Sequence, residues 1–237
     1  MKEVEYTLIT GAAKRVGRAI ALHLAEHGHD IAVHYHHSLG DAETLKGEIE
    51  ALGRKALLVQ ADLGQSEEAG TIITSILEVG RVRAVVNNAS IFEQFDLRTT
   101  TVDAWQRHLA VNLTAPLLIS QAYAETGTGG RIVNLLDWRV ARSDPNHLPY
   151  AVSKAALEAL TRNLAVALAP AFQVNGLALG AVLPPSDGRD VAHLLKDVPS
   201  HRWADLSEVG EAVRFLLDGP AYITGEVITI DGGRHLV

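Results

Sequence analysis

Tyr150 and Lys154 stand four residues apart in the run PYAVSKAALEAL, and Asp137 closes the apolar stretch RIVNLLD a little upstream. A spacing of four puts two side chains on one face of a helix. A phenol with an ordinary pKa of about 10 is a poor acid–base group at neutral pH. An ammonium beside it stabilises the phenolate, so Lys154 is expected to draw the Tyr150 pKa down. Asp137 makes unusual company for such a pair. A carboxylate accepts hydrogen bonds and, unless protonated, donates none. A flat heterocycle carrying amino and ring N–H groups would meet that demand.

A second set of residues suits a dinucleotide. The stretch YTLIT runs into TGAAKRVGRAI. Gly11 can make the tight turn out of a strand, Gly17 lets the next helix pack close, and the helix's first N–H groups can receive a pyrophosphate. The usual G-x-G-x-x-G spacing is absent, so a nucleotide-free glycine turn stays open on this segment alone. The second strand ends His34-Tyr35-His36-His37-Ser38, without the acid that commonly holds the ribose 2′-hydroxyl of NAD. Asp30 opens that strand and lies at the wrong end. Histidine nitrogens and the Ser38 hydroxyl can donate to a 2′-phosphate, with Lys14 and Arg15 on a neighbouring loop, so NADPH is the expected cofactor. Period-two alternation separates His37 from His34 and His36, which argues against a metal cluster.

These groups need a scaffold. Strand-like runs at 6–10, 30–35, 55–60, 83–88, 131–136, 172–179 and 226–231 alternate with helical periods at 15–28, 42–53, 67–80, 101–126, 151–168 and 207–219. Continuous apolar strands alternating with helices predict a parallel sheet covered on both faces, and ligands then bind beyond the strands' carboxyl ends. The 237 residues carry no linker-like division, so residues 1–237 are expected to form one α/β domain. A net charge of −7 argues against a nucleic-acid or membrane-surface partner. There are no cysteines, which excludes disulfides and thiolate chemistry. No apolar run approaches a membrane span and the N-terminus lacks a signal-peptide pattern, so a cytoplasmic protein is expected.

Taken in order, Thr10-Gly11 through Gly17, Asp62, Asn87-Asn88-Ala89, Asn112 and Tyr150-x-x-x-Lys154 make the chain resemble the short-chain dehydrogenase/reductase family over essentially its whole length. Arg15, the His34–Ser38 run, Ser90, Phe92, Asp137 in place of a serine, and DGGRHLV are similar to the pteridine and dihydromonapterin reductases within it. The resemblance implies a single-domain Rossmann-like doubly wound fold with a seven-stranded parallel sheet. It implies cofactor contacts from Gly11, Lys14, Arg15, Val16, Gly17, His34, Tyr35, His36, His37, Ser38, Asp62, Leu63, Asn88, Ala89, Ser90, Tyr150, Lys154 and Gly180. Asp62 is equally readable as a helix cap. Asn112 matches an asparagine that holds a water of the proton relay, which makes Asp137, Tyr150, Lys154 and Asn112 the catalytic set. Arg15, Ser90, Phe92, Asp137 and Tyr150 would line the pterin.

The implied activity is NADPH-dependent reduction of a dihydropterin to its tetrahydro form, by a homotetramer or homodimer joined through the helices at 101–126 and 150–169. A carbonyl reductase acting on 3-oxoacyl thioesters and a non-catalytic NADP-binding regulatory protein are the alternatives. One departure from the family is Leu179-Gly180 where Pro-Gly is usual, and it leaves the substrate loop, about 181–205, without assigned contacts. Trp138, Arg139 and Arg234-His235 have no orientation that the sequence reveals.

Overall fold

The computed structural model describes residues 3–183 and 195–237. Seven strands, β1 (Glu5–Ile9), β2 (Asp30–Tyr35), β3 (Ala56–Gln60), β4 (Arg81–Asn87), β5 (Gly130–Asp137), β6 (Phe172–Leu179) and β7 (Val227–Ile230), form one parallel sheet ordered β3-β2-β1-β4-β5-β6-β7. The chain order reverses between β1 and β4. In open α/β sheets that switch point opens a crevice at the carboxyl ends of the strands.

Adjacent residues along each central strand feed opposite cores. Leu8, Val85 and Ile132 enter one apolar layer, with Ile72, Ile73, Ile76, Ile119 and Tyr123 from helices α3 (Ser66–Leu77) and α5 (Ala115–Glu125). Ile9, Val86 and Val133 enter the other, against α1 (Arg15–Glu26), α2 (Leu39–Ala51) and α7 (Leu206–Asp218). Burial on both faces is why these strands read as unbroken apolar runs rather than alternating ones.

The segment expected as one helix over 101–126 is broken. It consists of α4 (Val102–Leu109), a π-helical turn (Ala110–Thr114) and α5. Pro116 has no N–H, so the α-type bond to the carbonyl four residues back, that of Asn112, cannot form. The wider turn takes up the mismatch and places Asn112, fully buried, against helix α6 (Leu148–Ala167). Residues 184–194 of the expected substrate loop lie outside the described residues.

Candidate active site

The turn after β1 is tied to its neighbours by residues of three strands. Gly11 has φ +62°, in the left-handed region that glycine enters freely, and its N–H donates to His34 Nδ1 at 3.0 Å. Since that nitrogen accepts, Nε2 carries the proton and donates to the Ala61 carbonyl at 3.1 Å. Burial, partly opposed by the Ala61 bond, pulls the His34 pKa down to about 4, so the ring is neutral at physiological pH. Thr10 Oγ1 accepts from the N–H groups of Asn88 (2.9 Å) and Ala89 (3.0 Å), and Asn88 Nδ2 donates to the Thr10 carbonyl at 2.7 Å. A Cβ on Gly17 would stand 2.4 Å from the Gly11 oxygen, so only glycine lets α1 begin this close to the turn.

A dinucleotide fits what these elements leave open. Lys14 caps α1 without a side-chain hydrogen bond, so no side chain of the cap competes for the first-turn N–H groups. A cavity of about 500 Å³ extends from this helix start along Asn88, Ala89 and Ser90 to Asp137, Tyr150, Lys154 and Gly180. Beyond the carboxyl ends of β2 and β3 lies a groove of about 770 Å³ lined by His36, His37 and Asp62.

Asp137 is the hub of the hydrogen bonds at the strand ends. Its Oδ2 accepts the Tyr150 hydroxyl at 2.9 Å, and Arg139 Nη1 donates to both carboxylate oxygens at 3.1 Å. The Arg139 backbone N–H adds a bond to Oδ1 at 2.9 Å, and its Nε donates to Asp144 at 2.7 Å. Every one of these partners donates, so Asp137 acts here as an acceptor. Burial opposes the charge of Arg139, but Asp137 and Tyr150 keep its pKa above the ordinary arginine value. Phe92 stacks on His147 with ring centroids 4.3 Å apart and meets Tyr150 edge-on at 4.6 Å. At 52% exposure Phe92 is a wall rather than core packing.

Lys154 is buried, and its Nζ donates to the Leu135 carbonyl at 2.8 Å. Burial, opposed by the Asp137 charge, pulls its pKa down to about 8. The expected effect of Lys154 on Tyr150 is overturned. Burial first, then the Asp137 charge and hydrogen bond, push the Tyr150 pKa well above its ordinary value, with Arg139 opposing. The carboxylate lies in contact with the phenol, whereas the ammonium stands 5.9 Å from the ring centroid.

Other expectations also change. Both nitrogens of His34 are spent inside the fold, so it buttresses the Gly11 turn and does not reach a phosphate. Tyr35 and Leu63 are buried in the two apolar layers rather than in either cavity. Asn112 Oδ1 accepts from Ile91 N–H (2.9 Å) and the Ser90 hydroxyl (3.1 Å), while Nδ2 donates to Ile91 O and Ser153 Oγ, both at 3.0 Å. That fills the amide's capacity. Its side chain therefore positions the 90–92 loop and has no hydrogen-bonding capacity left for a relay water. Ser153, on the helix that carries Tyr150 and Lys154, is the other half of that clamp. Lys14 pairs with Asp41 at 3.0 Å, and the Asp62 carboxylate caps Gly64 at 2.8 Å while facing His36 at 3.8 Å. Arg15, with φ +52°, lines the main cavity with Val16. Arg139, left without a role in the sequence reading, is held on Asp137 here. An arginine two residues past a strand-end acid was its only signal.

The sheet order, the glycine turn and the Tyr150–Lys154 helix define a nucleotide-dependent oxidoreductase, and the chain belongs to the short-chain dehydrogenase/reductase family. The family model described as enoyl-(acyl carrier protein) reductase matches residues 11–235. A 3-oxoacyl-[acyl-carrier-protein] reductase of Synechocystis is 31% identical over 97% of this chain and 96% of its own. A solved structure, FolM alternative dihydrofolate reductase 1 from Brucella canis complexed with NADP, is similar at a TM-score of 0.90 and 36% identity, covering 98% of this chain and 94% of that one. A blue fluorescent protein from a metagenomic library, in complex with NADPH, is 30% identical at a TM-score of 0.91, covering 97% of each chain.

Proposed function

We propose that this protein is an NADPH-dependent pteridine reductase that converts a dihydropterin to its tetrahydro form. The observation that carries the reading is the acceptor carboxylate of Asp137 between Tyr150 and Arg139, beside the half-open face of Phe92. Similarity to the NADP-complexed Brucella FolM supports it. NADPH, when bound, supplies the hydride to a C=N carbon. Gly11, Lys14, Arg15, Gly17, Asn88 and Ala89 would hold it along the main cavity, with His36, His37 and Ser38 toward its 2′-phosphate.

Phe92 offers an apolar plane to the pterin ring. Asp137 accepts from the pterin's amino and ring N–H donors, and Arg139 offsets the charge this concentrates. Such a donor takes the place of the Tyr150 O–H on Asp137 Oδ2. The phenol is then released, still protonated, to donate toward the ring nitrogen that gains the proton. The raised Tyr150 pKa suits a proton donor better than a resting phenolate. Lys154, anchored on Leu135, retains two N–H donors for the nicotinamide ribose.

Assembly as a homodimer or homotetramer through the outer faces of α5 and α6, where Leu117 and Val166 are exposed, belongs to the same proposal, as does a cytoplasmic location. No described helix is long and apolar enough to cross a membrane. Asp137→Ser tests the central assignment. It should retain NADPH binding and lose pterin turnover by about a hundredfold, as expected for a group acting on proton transfer and orientation. Undiminished pterin turnover, or a gain on a 3-oxoacyl thioester, would favour the carbonyl-reductase alternative.

A further inference from the structure

From Phe92 a ladder of alternating rings and guanidinium groups leads out of the catalytic cavity. Arg139 stands 5.4 Å from the Phe92 ring and 5.3 Å from the Trp138 ring, and Arg234 lies over the far side of this ladder, 4.3 Å from the Trp138 centroid. The ladder ends in a separate cavity of about 420 Å³, lined by Trp138, Arg142, Lys196, Asp197, Pro199 and Arg234. Three cationic side chains and one carboxylate side chain line that space, together with Val237, in a chain whose net charge is −7.

These cations differ from most of the molecule's arginines. Arg18, Arg54, Arg83, Arg107, Arg202 and Arg214 each meet a carboxylate. Among the described residues, Arg142, Lys196 and Arg234 have no ion-pair partner. Arg234 is also held in place. The Asp231 carboxylate accepts the backbone N–H groups on either side of it, from Gly233 (2.9 Å) and His235 (2.7 Å), and Trp138 covers its guanidinium. Burial, and then the charge of Arg139, lower the Arg234 pKa, with Asp197, Asp137 and Asp231 opposing. A bound anion would relieve that repulsion.

We propose that this cavity receives the carboxylate-bearing tail of the substrate, so that the preferred pterin ends in anionic groups, as dihydrofolate does, rather than in the hydroxyalkyl chain of a biopterin or monapterin. Arg234 and Arg142 meet carboxylates with paired N–H donors, and Lys196 adds a third charge. Trp138, half-buried in the wall of this cavity, offers an apolar contact to the flat aromatic spacer between the pterin and the carboxylates. The cofactor's 2′-phosphate is not the natural occupant. The groove of His36 and His37 follows β2, three strands from β5 and Trp138, or about 14 Å across the sheet.

The proposal rests on the pteridine-reductase reading, and two measurements separate them. First, kcat/KM for dihydrofolate and dihydrobiopterin is compared in the wild type, Arg234→Ala and Arg234→Lys. The dihydrofolate-to-dihydrobiopterin ratio should favour dihydrofolate in the wild type, fall about tenfold in Arg234→Ala, and recover in part in Arg234→Lys, as expected for a charged hydrogen bond. A ratio unchanged in Arg234→Ala overturns the subsite. Second, p-aminobenzoylglutamate, the tail without the pterin, is titrated calorimetrically into the wild type and Arg234→Ala. Saturable binding weakened in the variant supports the subsite even if no pterin is reduced, which would sink the parent reading alone. No binding, or equal binding to both proteins, overturns the subsite whatever the turnover.

Discussion

Tyr150 O–H donates to Asp137 Oδ2, Arg139 clasps both oxygens of that carboxylate, and Lys154 stands behind with its ammonium on Leu135. Within this group the pKa shift of Lys154 has a measurable consequence. Its pKa lies at about 8, against an ordinary 10.5, so its positive charge is lost as pH rises through about 8. If that charge steadies the ribose and the departing phenolate, kcat/KM should decline through the same range, and Lys154→Met should lack that limb. Stability moves the opposite way. Between about pH 8 and 10.5 the unfolded chain binds this proton and the fold does not, so Lys154's cost to stability is largest below pH 8 and shrinks above it. Parallel pH profiles of rate and of denaturant unfolding check both signs. The sequence identified Tyr150, Lys154 and Asp137 as one group. It could not tell that Asp137 touches the phenol while Lys154 does not, because that depends on side-chain directions at the ends of two elements.

The elements themselves were largely legible, because a sheet buried on both faces leaves continuous apolar runs and its crossover helices leave a helical period. All seven expected strands form, with ends shifted by a residue or two. The break at Ala110–Thr114 was not legible, since an unbroken apolar period runs through it and Pro116 alone marks the missing bond. His34 misled for a related reason. A histidine at a strand end looks available to a phosphate, and only the approach of Gly11 on one side and Ala61 on the other shows it occupied. The closeness of Gly17 to Gly11 makes a prediction at this scale. In Gly17→Val the added carbons meet the Gly11 oxygen and Asn88 Nδ2, where a Cβ alone would stand at 2.4 and 2.6 Å. The helix start must then back away from the turn. Overpacking of this kind costs about 1–3 kcal/mol, so a lower Tm is expected together with at least a tenfold loss of NADPH affinity by fluorescence titration. Normal affinity would mean that the α1 start does not hold the cofactor.

Over the whole molecule, the cofactor should add one continuous bridge across the α1 start, the β2 end, the β4 loop and the α6 face. A ligand bound only to the folded state at a hundred times its Kd adds about 2.7 kcal/mol. For a domain of this size that corresponds to a rise in Tm of roughly 5–10 °C. NADPH should give this shift in a thermal melt and NADH much less. Equal shifts would remove the argument from the acid-free end of β2.

The central claim is that Asp137 selects a pterin. Its most direct test is anaerobic NADPH consumption by the purified protein with dihydrofolate, dihydrobiopterin, dihydromonapterin and an acetoacetyl thioester side by side. Pterin-dependent oxidation, with the thioester inert, is the predicted result. Turnover of the thioester alone would contradict it, and would mean that Asp137 does not decide the substrate.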